Sequence, residues 1–283
     1  MAYILLIVTA ALTTVQHGLT KQYSINARIH NVYMYTAATS VAAMLFFVVV
    51  ACFKFNFKPE LISYSLAFAI AFMAALVGST YAIRTGSLAL TSLIISYSLT
   101  IPMLHGLVFL HEEATVFTYT GIALLLISLY FVSGKSSKTK ISFVWVIWIV
   151  IAFIGNGMCS VVQKMQQSAF GGEFKSEFMI LALFIVTVVS FIIGLITAKG
   201  DRKVIIIDAA KYAPLKGIAN GAVNFFVMVL TGALPSAILF PSISAGGIIF
   251  AYILSRFAYK EEYSTMQKIG FVLGVISAIL LNI

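Results

Sequence analysis

Apolar residues fall in ten runs along the chain, at roughly 2–20, 32–53, 61–83, 87–110, 115–133, 142–167, 176–198, 207–231, 235–257 and 264–282. Each run is near the ~20 residues that an α-helix needs to cross a hydrocarbon core, so the pattern predicts ten transmembrane helices. The gaps are short polar stretches, such as Lys54 to Glu60 and Lys199 to Lys203, or tight turns such as Arg84-Thr85-Gly86-Ser87. They leave no room for a soluble domain. Two runs interrupt their apolar character in the same way. In the sixth, Asn156, Ser160, Gln163 and Gln167 recur at +4, +7 and +11, and in the first, Thr9, Thr13, Gln16 and Thr20 carry the same spacing. That spacing sets four side chains on one face of a helix. Polar groups are expensive in hydrocarbon, so both stripes are expected to face a protein interior or a water-filled cavity.

The matched stripes belong to a longer internal repeat, which is best sought before other features. Displacing the chain by 149 residues lays Ser87 on Ser236, Leu90 on Leu239, Glu112-Glu113 on Glu261-Glu262, Gly121 on Gly270 and Ser128 on Ser277. The first and sixth runs superpose at a displacement of 147. The chain thus divides into 1–134 and 135–283, five helices each, within one membrane domain. Five is odd, so the second half enters the membrane from the opposite side. The expected fold is an all-α integral membrane protein of ten transmembrane helices in two inverted five-helix repeats. Many secondary transporters have this architecture, with a binding site between the halves.

Composition agrees. The 283 residues are 61% hydrophobic and 10% charged, against roughly 25% charged in a soluble domain. No run alternates over the ~10-residue segments that a membrane β-barrel requires. The net charge of +9 does not point to nucleic acid, because no basic cluster is interleaved with exposed aromatics. The cations sit in the gaps, and they sit unevenly. One set of loops carries Lys21, Arg28, Arg84, Lys135, Lys138, Lys140, Lys199, Arg202, Lys203, Lys211, Lys216, Arg256, Lys260 and Lys268, and the other carries Lys54, Lys58 and Lys175. The positive-inside bias predicts the loop at 135–140 in the cytoplasm and both termini outside. Met1-Ala2-Tyr3 lacks the basic start of a signal peptide, so the first run reads as a retained span. Cys52 and Cys159 give neither a metal spacing nor a disulfide framework, and no cofactor is implied. An intramembrane enzyme would need a catalytic constellation, and the chain has no HExxH, buried carboxylate pair or Cys-His pair. It does not read as an enzyme.

Tyr81-Ala82-Ile83-Arg84-Thr85-Gly86-Ser87-Leu88-Ala89, followed by Pro102, Glu112-Glu113 and Gly121, resembles the signature of the ten-helix drug/metabolite transporter superfamily (EamA-like). The second half repeats its closing part as Glu261-Glu262 and Gly270. The architecture matches along the whole chain, whereas the motif is specific over about fifty residues and names no substrate. The resemblance implies a cavity lined by the first, third and fourth helices of each half. Many members have cytoplasmic termini, opposite to the charge count here. Small multidrug-resistance relatives carry a glutamate in the first helix, where this chain has Thr13 and Gln16 instead.

All nine acidic residues lie in gaps or at helix ends by the run boundaries. A cationic substrate would want a buried acid, so that class loses weight. Lys164, beside Gln163, Ser160 and Asn156, either faces the cavity as an anion partner or snorkels to the surface. His17 is its counterpart in the first half, as a site residue or an interfacial histidine. Asn220 and Asn224 share one face of the eighth helix, as substrate ligands or interhelical glue. Tyr97, with Ser96 and Ser98, His105, and Ser242 with Ser244 are weaker versions of the same choice. Glu112-Glu113 and Glu261-Glu262 read as helix-entry residues favoured by the N-terminal dipole. Gly155, Gly157 and Gly246-Gly247 read as close-packing positions, and Pro102 as a kink. The expected substrate site is therefore Lys164, Gln163, Ser160, Asn156, Asn220, Asn224, Gln16, Thr13, His17 and Tyr97. The expected activity is secondary transport of a small polar metabolite, neutral, zwitterionic or anionic, such as an amino acid, by alternating access. The expected setting is a bacterial cytoplasmic membrane, with the lipid bilayer, the substrate and a coupling proton or ion as partners. The alternative is a carrier of a quaternary amine or lipid-linked substrate, using the surface of 13 Tyr and 23 Phe.

Overall fold

The computed structural model describes residues 2–109, 115–132, 142–260 and 262–280. Glu112, Glu113, Glu261 and the loop at 135–140 lie outside the described residues. The chain forms eleven helices among them: α1 (Ala2–Asn26), α2 (Val32–Val50), α3 (Leu61–Thr85), α4 (Leu88–Tyr97), α5 (Thr100–Phe109), α6 (Val116–Val132), α7 (Phe143–Ala169), α8 (Lys175–Ile196), α9 (Arg202–Thr231), α10 (Ser236–Phe257) and α11 (Thr265–Leu280). Eight helical segments of the described residues are long and apolar enough to cross a membrane, counting α4 and α5 as parts of one span. The helices α6 and α11 supply two shorter apolar stretches. The chain is an all-α membrane protein.

Local chemistry sets the boundaries. Asn31, Ser87, Ser142 and Asp201 accept a backbone N–H from the first turn of α2, α4, α7 and α9, satisfying one of the donors that every helix start leaves open. Asn31 does more than cap. Its Nδ2 donates to the Gly194 carbonyl at 2.9 Å while its Oδ1 accepts from Met34 N–H at 2.9 Å, joining α2 to α8. Asn31→Ala is expected to cost about 1–2 kcal/mol for the cap and the interhelical bond together, read as a lowered thermal midpoint. Gly171 and Gly172, at φ +58° and +82°, turn the chain out of α7 in a region that glycine enters without steric cost.

The fourth apolar run, in which Pro102 predicts a kink, is broken at Ser98-Leu99, between α4 and α5. Pro102 explains the place. Its ring has no N–H for the carbonyl four residues earlier, Ser98, and clashes with it. Two other boundaries shift. The first helix runs on to Asn26, and α9 begins at Arg202, which puts Asp208 inside the helix rather than at its end.

The helices pack as α3 along α7, α1 along α9, α2 between α8 and α9, α6 against α11, and α10 against α1, α4 and α11. Glycine permits the closest of these seams. A Cβ on Gly155 would lie 2.6 Å from the Ala75 nitrogen, and one on Gly78 would lie 2.8 Å from the Ala152 nitrogen. On α9, a Cβ at Gly217 would meet the Thr39 carbonyl at 2.4 Å. Gly246 lies against Ala10 and Gly247 against Ser96, so both serve close approach of α10. Across α6 and α11, Ser128 Oγ donates to the Gly270 carbonyl and Ser277 Oγ to the Gly121 carbonyl, each at 2.6 Å. Outward positions such as Leu66, Ile70, Phe184 and Phe191 are exposed, as lipid-facing side chains should be.

Candidate functional site

The middle stretches of α1, α3, α7 and α9, with the end of α4 and Ile243 of α10, enclose a cavity of about 100 Å³. Both stripes reach it. Thr13, Gln16, His17 and Thr20 line it from α1, and Asn156, Cys159, Ser160 and Gln163 from α7. The stripes turn inward because the adjacent positions are apolar and lipid-facing, as at Val15 and Met158. One end of each stripe does not take part. Thr9 donates to its own helix at the Leu5 carbonyl, and Gln167 bonds Gln166.

Asn220 and Asn224, which the sequence leaves without an evident partner in the first half, join the two stripe glutamines. Gln163 Nε2 donates to Asn224 Oδ1 at 2.8 Å, Asn224 Nδ2 to Asn220 Oδ1 at 3.0 Å, and Asn220 Nδ2 to Gln16 Oε1 at 2.8 Å. One amide chain therefore spans the cavity from α7 through α9 to α1. Each internal amide is both donor and acceptor, which holds all four side chains in register. A second polar link lies at the helix break. Asn156 Nδ2 donates to Ser98 Oγ at 2.7 Å. Gly155 and Gly157 flank Asn156 and let α7 close onto α3 and onto Ser98, so the packing sets Asn156 at the unwound turn.

Two of the expected residues lie elsewhere. Lys164 does not line the cavity; its ammonium donates to Ser236 Oγ at the start of α10. It continues the spacing of four from Asn156 and Ser160, at the edge of the stripe's face, and its side chain extends to Ser236 instead of into the cavity. Tyr97 is fully buried beside Gly274, with its hydroxyl hydrogen-bonded to Ser128, and it tethers α4 to α6. His105 also departs from expectation. It stacks on Phe109 with centroids 5.0 Å apart, and its Nδ1 has no hydrogen-bond partner among the described residues.

The missed residue is Lys216. The boundary reading places it among the loop cations, but it lies inside α9, is only 3% exposed, and lines the cavity. Its signal is in the sequence: Lys216, Asn220 and Asn224 are spaced by four, one face of one helix. Its Nζ stands 4.7 Å from the centroid of the Tyr35 ring, and Tyr35 stacks on Tyr23 with centroids 3.9 Å apart. Asp208, two turns earlier on α9, accepts from Arg28 Nε and Nη2 and from the backbone N–H of Arg28 and Ile29. Those bonds hold the exposed Arg28 guanidinium above its ordinary pKa, and they leave Asp208 committed to the loop after α1.

No family model and no curated protein matches the chain. A crystal structure of another protein superposes on 99% of this chain and 95% of its own, with a TM-score of 0.68 at 11% identity. At that identity the likeness shows the fold alone.

Proposed function

We propose that the chain is a secondary transporter that carries a small polar metabolite through this cavity by alternating access, with the ten-span, inverted-repeat architecture of the drug/metabolite transporters. The observation that carries the reading is the amide chain from Gln163 to Gln16, which edges the cavity instead of filling it. Gln16 Nε2 and Gln163 Oε1 have no hydrogen bond within the described residues and stand ready for a solute. A two-fold relation between the halves is supported by the packing. Exchanging the halves turns the α3–α7 contact into α9–α1, and the α2–α9 contact into α8–α3. The Ser128–Gly270 and Ser277–Gly121 bonds exchange in the same way. The quaternary-amine alternative draws less support, because Phe72 is the single Phe, Tyr or Trp among the described lining residues and an aromatic cage needs several faces. Moving Lys216 into the membrane leaves thirteen loop cations against three, so the cytoplasmic placement of the loop at 135–140, in a bacterial plasma membrane, stands as part of this reading.

Cys159 offers a test that needs no known substrate, since it lines the cavity and the other cysteine, Cys52, is exposed. A Cys52→Ser protein, reconstituted in either orientation, is treated with a small membrane-impermeant methanethiosulfonate. Alternating access predicts that Cys159 is modified from both faces, and that uptake of one member of a panel of small polar solutes is blocked by the modification. Modification from one face only, or from neither, would sink the proposal.

A further inference from the structure

We infer, building on the transport reading, that the solute is a small anion and that Lys216 is the group that binds its charge. Among the described residues, Lys216 and His17 are the titratable nitrogen groups lining the cavity, and no Asp or Glu lines it. Asp208, the acid nearest along α9, is taken up by Arg28. The ammonium therefore keeps one described partner, the face of Tyr35 at 4.7 Å. A cation–π contact contributes too little to offset the several kcal/mol by which a buried charge falls short of its hydration. A carboxylate or phosphate oxygen entering the cavity supplies the missing countercharge. Such an oxygen can also accept from Gln16 Nε2, while Gln163 Oε1 takes a hydroxyl or other donor of the solute. The cavity volume of about 100 Å³ is well below the roughly 300–1,000 Å³ of pockets for drug-sized ligands, so the anion is small.

A second observation points the same way. A larger pocket, about 520 Å³, lies near the ends of α1 and α3 and the start of α4, three of the helices that line the cavity, and among the described residues it is bordered by Lys21, Arg84 and Lys260 against one acid, Glu262. Lys21 follows the cavity residue His17 by one helical turn and donates to the carbonyls of Ile83 and Gly86 at 3.5 and 3.3 Å. A net positive pocket one helical turn along α1 from the cavity concentrates anions and repels cations.

The test uses the full chain in nanodiscs of uncharged lipid, at constant ionic strength in chloride. Thermal unfolding is followed with acetate, L-lactate or inorganic phosphate as anionic probes, and with glycine, glycerol and choline as zwitterionic, neutral and cationic ones. The expected result is a rise of several degrees with at least one anion, which a bound ligand produces by mass action. Lys216→Arg should retain the anion response, and Lys216→Met should lose it, with apparent affinity falling about ten- to a hundredfold. Without any anion, Lys216→Met should unfold at a higher temperature than the parent, because an uncompensated buried charge has been removed. The inference is overturned if no anionic probe stabilises the parent protein, if Lys216→Met responds as the parent does, or if Lys216→Met is the less stable protein without anion. Should Lys216→Met fail to fold, that alone counts as the last outcome. If Cys159 is reached from both faces while anions have no effect, transport stands and the anion assignment alone falls.

Discussion

Gly155→Leu is expected to abolish assembly of the helix bundle. The Cβ alone would sit 2.6 Å from the Ala75 nitrogen and 2.7 Å from the Ala71 carbonyl oxygen. Both are backbone atoms of α3 that cannot swing aside, so α7 must move away along its most extensive seam. Overpacking of this kind costs at least about 3 kcal/mol where no side chain can yield. The same movement withdraws Asn156 from Ser98 and Gln163 from Asn224. The measurement is the monodisperse fraction and thermal midpoint of detergent-purified protein. Gly232→Ala is the control, since its φ is −82° and its nearest neighbour, the Val229 carbonyl, lies 3.6 Å from the added carbon. A Gly155→Leu protein as stable as that control would show that the α3–α7 seam is not where the bundle is closed.

Asn224→Leu has the second-largest expected effect, and it separates fold from function. The leucine removes the acceptor for Gln163 Nε2 and the donor to Asn220, leaving buried amide groups unpaired. The loss is about 2 kcal/mol, from about 1–3 kcal/mol for orphaned buried groups moderated by the modest worth of hydrogen bonds inside membranes. Stability should fall by less than in Gly155→Leu, so the protein is still expected to insert. Uptake of the transported solute should nevertheless fall at least tenfold, because Gln163 and Gln16 are no longer held on opposite sides of one cavity. Parallel measurement of thermal midpoint and initial uptake rate checks both parts. A folded Asn224→Leu protein with unchanged uptake would make the amide chain interhelical glue and nothing more.

The sequence by itself determined which residues share a face. Helical periodicity requires that Asn156, Ser160 and Gln163 turn together, that Thr13 and Gln16 turn together, and that Asn220 lies with Asn224. The cost of polar groups in hydrocarbon then requires that these faces point inward. The lengths of the apolar runs likewise placed the helices, eight segments of which are long and apolar enough to cross a membrane among the described residues, and Pro102 marked the place where the fourth could break. What periodicity cannot supply is the partner of each face, because that depends on how two helices cross and how close they come. Only the tertiary structure decided that Asn220 and Asn224 bridge Gln16 and Gln163, through contacts about 60 and 200 residues apart in the chain. The exchange of Lys164 for Lys216 has the same origin. Each lysine continues a spacing of four, Asn156-Ser160-Lys164 on one helix and Lys216-Asn220-Asn224 on the other, so periodicity does not tell them apart. The shared faces could be read from the sequence, whereas the depth of Lys216 and the Ser236 partner of Lys164 could not. Its burial follows from α9 beginning at Arg202 and from Gly217 admitting the backbone of α2, which brings Tyr35 over the ammonium. Tyr97 shows the converse: a polar aromatic in the right helix is drawn to Ser128 and Gly274 because α4 presents that face to α6 and α11.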